Sequence, residues 1–144
     1  MKDANYPKLI PELYCSDYQK SVAFYTQVLG FTVAYAREEE GFAMLDREGA
    51  RLMLDEIVAD SERTWITAEL SYPFGRGINL QIKVSDVEAL YQSVKTAEAF
   101  VFLDMEEKWY RANDVYVGNK QFIVLDPDGY MLRFYQDMGE RSHP

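Results

Sequence analysis

Four side chains on strand-like segments of this chain could grip a polar ligand: Glu12, Asn79, Gln81 and Arg133. A carboxylate, two amides and a guanidinium offer charge and directed hydrogen bonds, and inside a cleft they need either one another or a ligand as partners. They are poorly equipped to break bonds. The one histidine, His143, is next to last in the chain, and no serine or cysteine has a well-placed histidine to activate it. No Walker-type or dinucleotide-binding glycine loop occurs, and "GRGIN" (75–79) lacks the strand-before, helix-after context that would give it meaning.

Strands must position these residues. In "INLQIKV" (78–84), Ile78, Leu80, Ile82 and Val84 alternate with Asn79, Gln81 and Lys83. In "YMLRFYQ" (130–136), Tyr130, Leu132 and Phe134 alternate with Met131, Arg133 and Tyr135. "KLIPELY" (8–14) reads as a strand with Ile10 and Glu12 on one face. The commonest fate of such polar residues is a water-facing side of a half-exposed sheet. What argues for a cleft is that the chain repeats its plan.

In "SDYQKSVAFYTQVLGF", Ser16 followed by Gln19 predicts a capping box, Val22, Tyr25, Val28 and Leu29 share a helical face, and Gly30 stands where a helix ends. "FTVAYA", "GFAML" and "ARLMLDE" then read as three strands, the last two joined by a turn containing Gly49. "SDVEALYQSV" restarts a helix with Ser85 and Glu88, 69 positions (85 − 16) after the first. Leu45-Asp46 with Gly49 recurs as Leu125-Asp126 with Gly129, 80 positions (125 − 45) on, and the additional residues fall within "FLDMEEKWYRANDVYVGNK". The predicted fold is α+β: two βαβββ repeats form a curved mixed sheet around a cleft, with helices on the outer face. The repeats span about 8–56 and 78–136 of a single domain, 1–144, and a linker, 57–77, joins them and carries Trp65, Tyr72 and Phe74. In this alignment Ile10 corresponds to Asn79 and Met53 to Arg133.

Composition narrows the function classes. With 144 residues, a folded chain buries roughly 70% of its unfolded surface and needs no covalent staples. The net charge of −9, without a cluster of Lys or Arg, argues against nucleic-acid binding. No apolar run approaches the ~20 residues of a membrane span, and "MKDANYPKL" has no apolar region of a signal peptide. A cytoplasmic protein is the expectation. The lone Cys15 allows no disulfide framework or cysteine metal cluster within one chain, and packing is its expected role.

The segments "SDYQKSVAFYTQVLGF", "INLQIKVSDVEALYQSV" and "FIVLDPDGYMLRFYQD" resemble the vicinal-oxygen-chelate superfamily, which includes glyoxalases, extradiol dioxygenases, and fosfomycin- and bleomycin-resistance proteins. The resemblance covers nearly the whole chain. "PELYCSD", "YPFGRGIN" and "EEKWYR" look most like its bleomycin-resistance branch. Enzymes of the superfamily hold a divalent metal with His, Glu and Gln from matching strands of the two halves. The resemblance places those positions on Ile10, Met53, Asn79 and Arg133, an aliphatic, a thioether, a weak amide and a cation, which is no ligand set for such a metal. Glu12 is one carboxylate near it.

The bleomycin-resistance type is metal-free, needs no cofactor, and implies a homodimer whose interface clefts sequester a cationic, aromatic drug. For such a ligand this chain offers the aromatics Phe42, Trp65, Tyr72, Trp109 and Tyr110, the acids Glu12, Glu106 and Glu107, and the amides Asn79 and Gln81, with Met53 and Arg133 in the former metal positions. Drug-binding relatives carry a Trp-Gly pair before the penultimate strand, where this chain has Val117-Gly118. Trp109 stands in the same segment. Two alternatives stay open: a metal-dependent enzyme of the glyoxalase or dioxygenase class with atypical ligands, and a protein-interaction module whose cleft is filled by its own side chains. A Glu12–Arg133 ion pair closing the cleft is the main competitor to a ligand on Arg133.

Overall fold

The computed structural model describes residues 6–58 and 65–143. Strand β1 (Glu12–Cys15) leads into helix α1 (Tyr18–Ala23), which continues as a π-helical turn (Phe24–Val28). Strands β2 (Thr32–Arg37), β3 (Phe42–Arg47) and β4 (Ala50–Glu56) complete the first unit. Strand β5 (Asn79–Lys83), helix α2 (Val87–Thr96) and strands β6 (Val101–Ala112), β7 (Val115–Leu125) and β8 (Met131–Arg141) repeat it. The chain is therefore α+β with two βαβββ repeats. Its strands are divided between two four-stranded mixed sheets, β1-β4-β3-β2 and β5-β8-β7-β6, instead of running on as one. In each, the first strand pairs parallel with the last, and the other pairs are antiparallel.

Both helices start on an aspartate one residue beyond the serine expected to cap them. Asp17 and Asp86 each accept a hydrogen bond at 3.1 Å from the backbone amide three residues on, at Lys20 and Ala89. The carboxylate oxygen reaches the orphan amide of the first turn, as an N-cap must. Ser16 is engaged elsewhere. Its amide and hydroxyl donate to Asp128 at 3.0 and 2.5 Å, tying the start of α1 to the β7–β8 turn. The amide of Ser85 donates to the Glu48 carboxylate in the β3–β4 turn, a reciprocal tie from the second unit to the first. Gly30 takes a left-handed φ of +77° after the π turn, the helix-ending role expected of it.

One core serves both repeats. Leu13, Leu45, Leu52 and Leu54 of the first sheet cluster with Ile82, Phe122, Val124, Leu132 and Phe134 of the second. Tyr18, Tyr25 and Leu29 of the first helical segment and Val87, Leu90 and Val94 of α2 belong to the same cluster. The helix-bearing sides of the two sheets thus face a common interior, and Ser93 of α2 donates to the Val28 carbonyl at 2.7 Å across it. Cys15 packs here, 1% exposed, and burial among the Asp128 and Glu56 carboxylates pushes its thiol up to about 12.

The residues by which the second repeat is longer extend the β6–β7 hairpin, which turns at Asn113 (φ +58°). Strand pairing in β8 runs on to Arg141, past the end at 136 expected from sequence. The end of the linker is pinned to the β7–β8 turn, where the amide of Phe74 donates to the Asp128 carbonyl at 2.8 Å and its ring packs edge-on to Tyr130. Residues 59–64 of that linker lie outside the described residues.

Candidate ligand-binding site

Because side chains alternate along a strand, each sheet has an open face opposite the core. On the first sheet that face carries Glu12 opposite Met53, with Met44 opposite Met53 on the other side and Phe42 opposite Asp55. On the second it carries Gln81 opposite Arg133 and Asn79 opposite Met131. Since both helix-bearing sides turn toward one core, the two open faces turn away from it. Glu12 and Arg133 therefore stand on different faces, and no ion pair links them among the described residues. The charges that act on Glu12 are its own sheet's Asp55 and Arg37; burial and Asp55 raise its pKa while Arg37 opposes them.

The first open face is aromatic and acidic. Phe42 is 5% exposed beneath the Arg37 guanidinium, 4.1 Å from the ring centroid, and beside the Tyr35 ring at 6.0 Å. Trp65, 72% exposed, meets this side through its backbone amide, which donates to the Tyr14 hydroxyl at 3.0 Å. Tyr72 is also exposed, and its ring edge lies against the turn at Gly129.

The second open face holds a cleft of about 450 Å³ lined by Gln81, Tyr110, Val117, Asn119, Arg133, Tyr135, Asp137, Gly139 and Glu140. Arg133 donates through Nη2 to the Gln81 amide oxygen, while its buried Nε has no partner among the described residues. Below, Gln121 is 2% exposed and donates through Nε2 to Glu106 and to the Tyr110 hydroxyl, each at 2.8 Å. Its own carbonyl oxygen has no donor among the described residues. Asn79 does not join this cleft; it lines an adjoining, more apolar groove with Ile78, Phe102 and Met131.

Trp109 is turned to the opposite side of β6 from Tyr110. It pairs with Gly118 across the β6–β7 ladder, its ring covers that glycine, and the Arg141 guanidinium caps the ring at 3.6 Å. A Cβ at Gly118 would sit 2.6 Å from Trp109 Cη2, so the bare glycine is what admits the ring. Tryptophan and glycine do meet in this segment, but across the ladder and away from the cleft.

Asn119, Tyr135, Asp137 and Glu140 line the cleft and were not singled out as ligand-binding from sequence. Tyr135 shares the Arg133 side of the strand in the sequence alternation, and Asp137 continues that row past 136, where the strand expected from sequence ends. A register shift between Gly118 and Asn119 breaks the simple alternation beyond it.

These sheets, their order and the cleft define a vicinal-oxygen-chelate architecture. Residues 10–134 match the profile of the Glyoxalase/Bleomycin resistance protein/Dioxygenase superfamily, and the chain belongs to that superfamily. Proteins named bleomycin resistance protein from Geobacillus stearothermophilus and Staphylococcus aureus are 28% identical to it over 138 residues, covering 90% of this chain and 96% of theirs. In fold, it is similar to TioX from Micromonospora sp. ML1, with a TM-score of 0.69 at 20% identity over 90% of this chain and 98% of the other. A superfamily protein from Alicyclobacillus acidocaldarius gives 0.62 at 20% identity over 96% of each chain.

The side chains that the resemblance places at metal-ligand positions are not ones that hold a divalent metal. Met53 is paired with Glu12, and Arg133, paired with Gln81, brings a positive charge that repels a cation. Among the described residues no three of His, Cys, Asp and Glu come together in a way that could hold an ion. No helix among them is long and apolar enough to cross a membrane.

Proposed function

We propose that this protein binds a small cationic, aromatic molecule without a metal and without altering it, in the manner implied by its bleomycin-resistance relatives. The observation that carries this reading is the second-sheet cleft, whose walls are phenols, amides and carboxylates around an arginine where a catalytic member would need a metal ligand. Tyr110 and Tyr135 supply flat surfaces, and Asp137 and Glu140 supply negative charge for a cationic tail. Drug sequestration in the cytoplasm follows from this reading.

A homodimer forms part of the proposal. The chain presents two open faces on opposite sides of one core, one with Glu12, Phe42 and Met53 and the other with Gln81 and Arg133, so one copy alone cannot bring them together. Packing the first face of one copy over the second face of its partner would enclose two equivalent clefts. Phe42, at 5% exposure, already makes an apolar floor there.

The test is a titration of the purified protein with bleomycin, followed by tryptophan fluorescence, beside sedimentation and elemental analysis. Saturable binding at micromolar drug, one drug per chain, a dimeric mass and no stoichiometric divalent ion are expected. A tightly held stoichiometric metal, or no saturable signal, would overturn the proposal.

A further inference from the structure

We propose that the second-sheet cleft selects a zwitterion, with a carboxylate on Arg133, a flat group on Tyr135 and a cationic end toward Asp137. This rests on the small-molecule-binding reading above and narrows its ligand, because that reading asks only for a cationic aromatic compound.

The arginines of the first sheet have carboxylates. Arg37 meets Glu40 at 2.5 Å, Arg47 meets Glu48 at 2.6 Å and Arg51 meets Asp46 at 2.8 Å. Arg133 has none among the described residues; a neutral amide oxygen takes one of its donors, and its buried Nε is unmatched. A guanidinium keeps its charge at any accessible pH and presents a planar fork that fits a carboxylate. A guanidinium that lines a cleft with no carboxylate beside it carries uncompensated charge, and an entering carboxylate supplies the counter-charge.

The surrounding hydrogen bonds have matching directions. Tyr110 accepts from Gln121 through its phenol oxygen, at 2.8 Å, which leaves its proton free for an acceptor in the cleft. Gln121, buried beneath the cleft, commits its amide hydrogens to Glu106 and Tyr110 and so fixes the phenol in place. The free phenol proton of Tyr110 and the guanidinium of Arg133 thus line one cleft as donors for a carboxylate.

The cationic end is placed by β8. Arg133, Tyr135 and Asp137 line the cleft on alternate residues of the strand, so guanidinium, phenol ring and carboxylate form a row. Four residues of strand separate its ends by about 13 Å. Asp137 accepts from the Gly139 amide at 2.8 Å through one oxygen, and Lys83 lies 3.9 Å from the other; both side chains of that ion pair are more than half exposed, so solvent weakens it and the carboxylate keeps charge for a cation.

A tetrapeptide in extended form spans about 13 Å, so the probes are Gly-Phe-Phe-Gly with a free C-terminus and the same peptide as its C-terminal amide. Calorimetric titration of the full chain is expected to show the acid binding at least about ten-fold tighter than the amide. Arg133→Gln should lower the acid to the amide's level, and Arg133→Lys should keep part of the preference, with circular dichroism confirming the fold of each. Equal binding of acid and amide by the wild-type protein overturns the inference even if Arg133→Gln fails to fold. A preference that survives in folded Arg133→Gln also overturns it. If bleomycin binds and neither peptide does, the zwitterion inference falls while the binding function stands; if bleomycin and both peptides fail, both fall.

Discussion

The Tyr25 hydroxyl donates to the Asp126 carboxylate at 2.7 Å, and through this bond the first helical segment holds the β7–β8 turn of the other repeat. Asp126 also accepts from the amides of Asp128 and Tyr130 at 2.9 and 3.0 Å. Burial nevertheless raises its pKa from the ordinary 3.8 to about 6, against the effect of those donors.

The pH dependence follows from that shift. A folded-state pKa above the unfolded value means that the unfolded chain releases the proton first, so stability from this group is full below about pH 4 and is lost as pH rises to about 6. Denaturant unfolding of wild type and Asp126→Asn across pH 4–7 should show wild type losing about 2–3 kcal/mol relative to the variant. Tyr25→Phe removes one donor to the buried carboxylate and should cost about 1–3 kcal/mol at pH 7 while moving the transition upward in pH. A pH-independent difference would contradict the assignment.

The helix caps can be separated by adjacent alanine substitutions. Asp86→Ala should cost about 1 kcal/mol, because the Ala89 amide loses its acceptor. Ser85→Ala should stay within about 0.5 kcal/mol, since it is the Ser85 backbone amide that meets Glu48. Urea midpoints of the two variants decide this, and a costlier Ser85→Ala would restore serine as the cap.

Gly118→Ala tests the tryptophan–glycine contact. The new methyl would overlap Trp109 Cη2 at 2.6 Å, forcing the ring off its seat under Arg141. A loss of about 1–3 kcal/mol is expected, with a change in tryptophan emission. Unchanged emission would mean that Trp109 does not occupy this seat in solution.

Gly129→Ala should be far more damaging. Its φ of +86° already disfavours any side chain, and a Cβ would lie 2.4 Å from Cβ of Pro73, in the linker segment pinned to this turn. Gly49, its counterpart at φ +92°, has open space there, so Gly49→Ala carries the backbone strain alone. Thermal unfolding of the pair should therefore rank Gly129→Ala below Gly49→Ala, and the reverse order would show that the linker does not pack here.

The sequence alone determined the repeat, the α+β plan and the alternation that puts Asn79 and Gln81 on one side of their strand and Met131, Arg133 and Tyr135 on one side of theirs. These are local properties: strand period, turn glycines and helix starts are written within a few residues of one another, and duplication supplies a second copy to check them against. Tertiary structure decided which open face each strand belongs to, and so separated Glu12 from Arg133, took Asn79 out of the cleft and turned Trp109 away from it. Strand alternation says that two residues share a side of a strand; it carries no information on whether two sheets adjoin edge to edge or pack their helical sides together. That choice is made by the shared core of Leu52, Tyr25, Val94 and Phe134, and by ties such as Tyr25–Asp126 between residues a hundred positions apart.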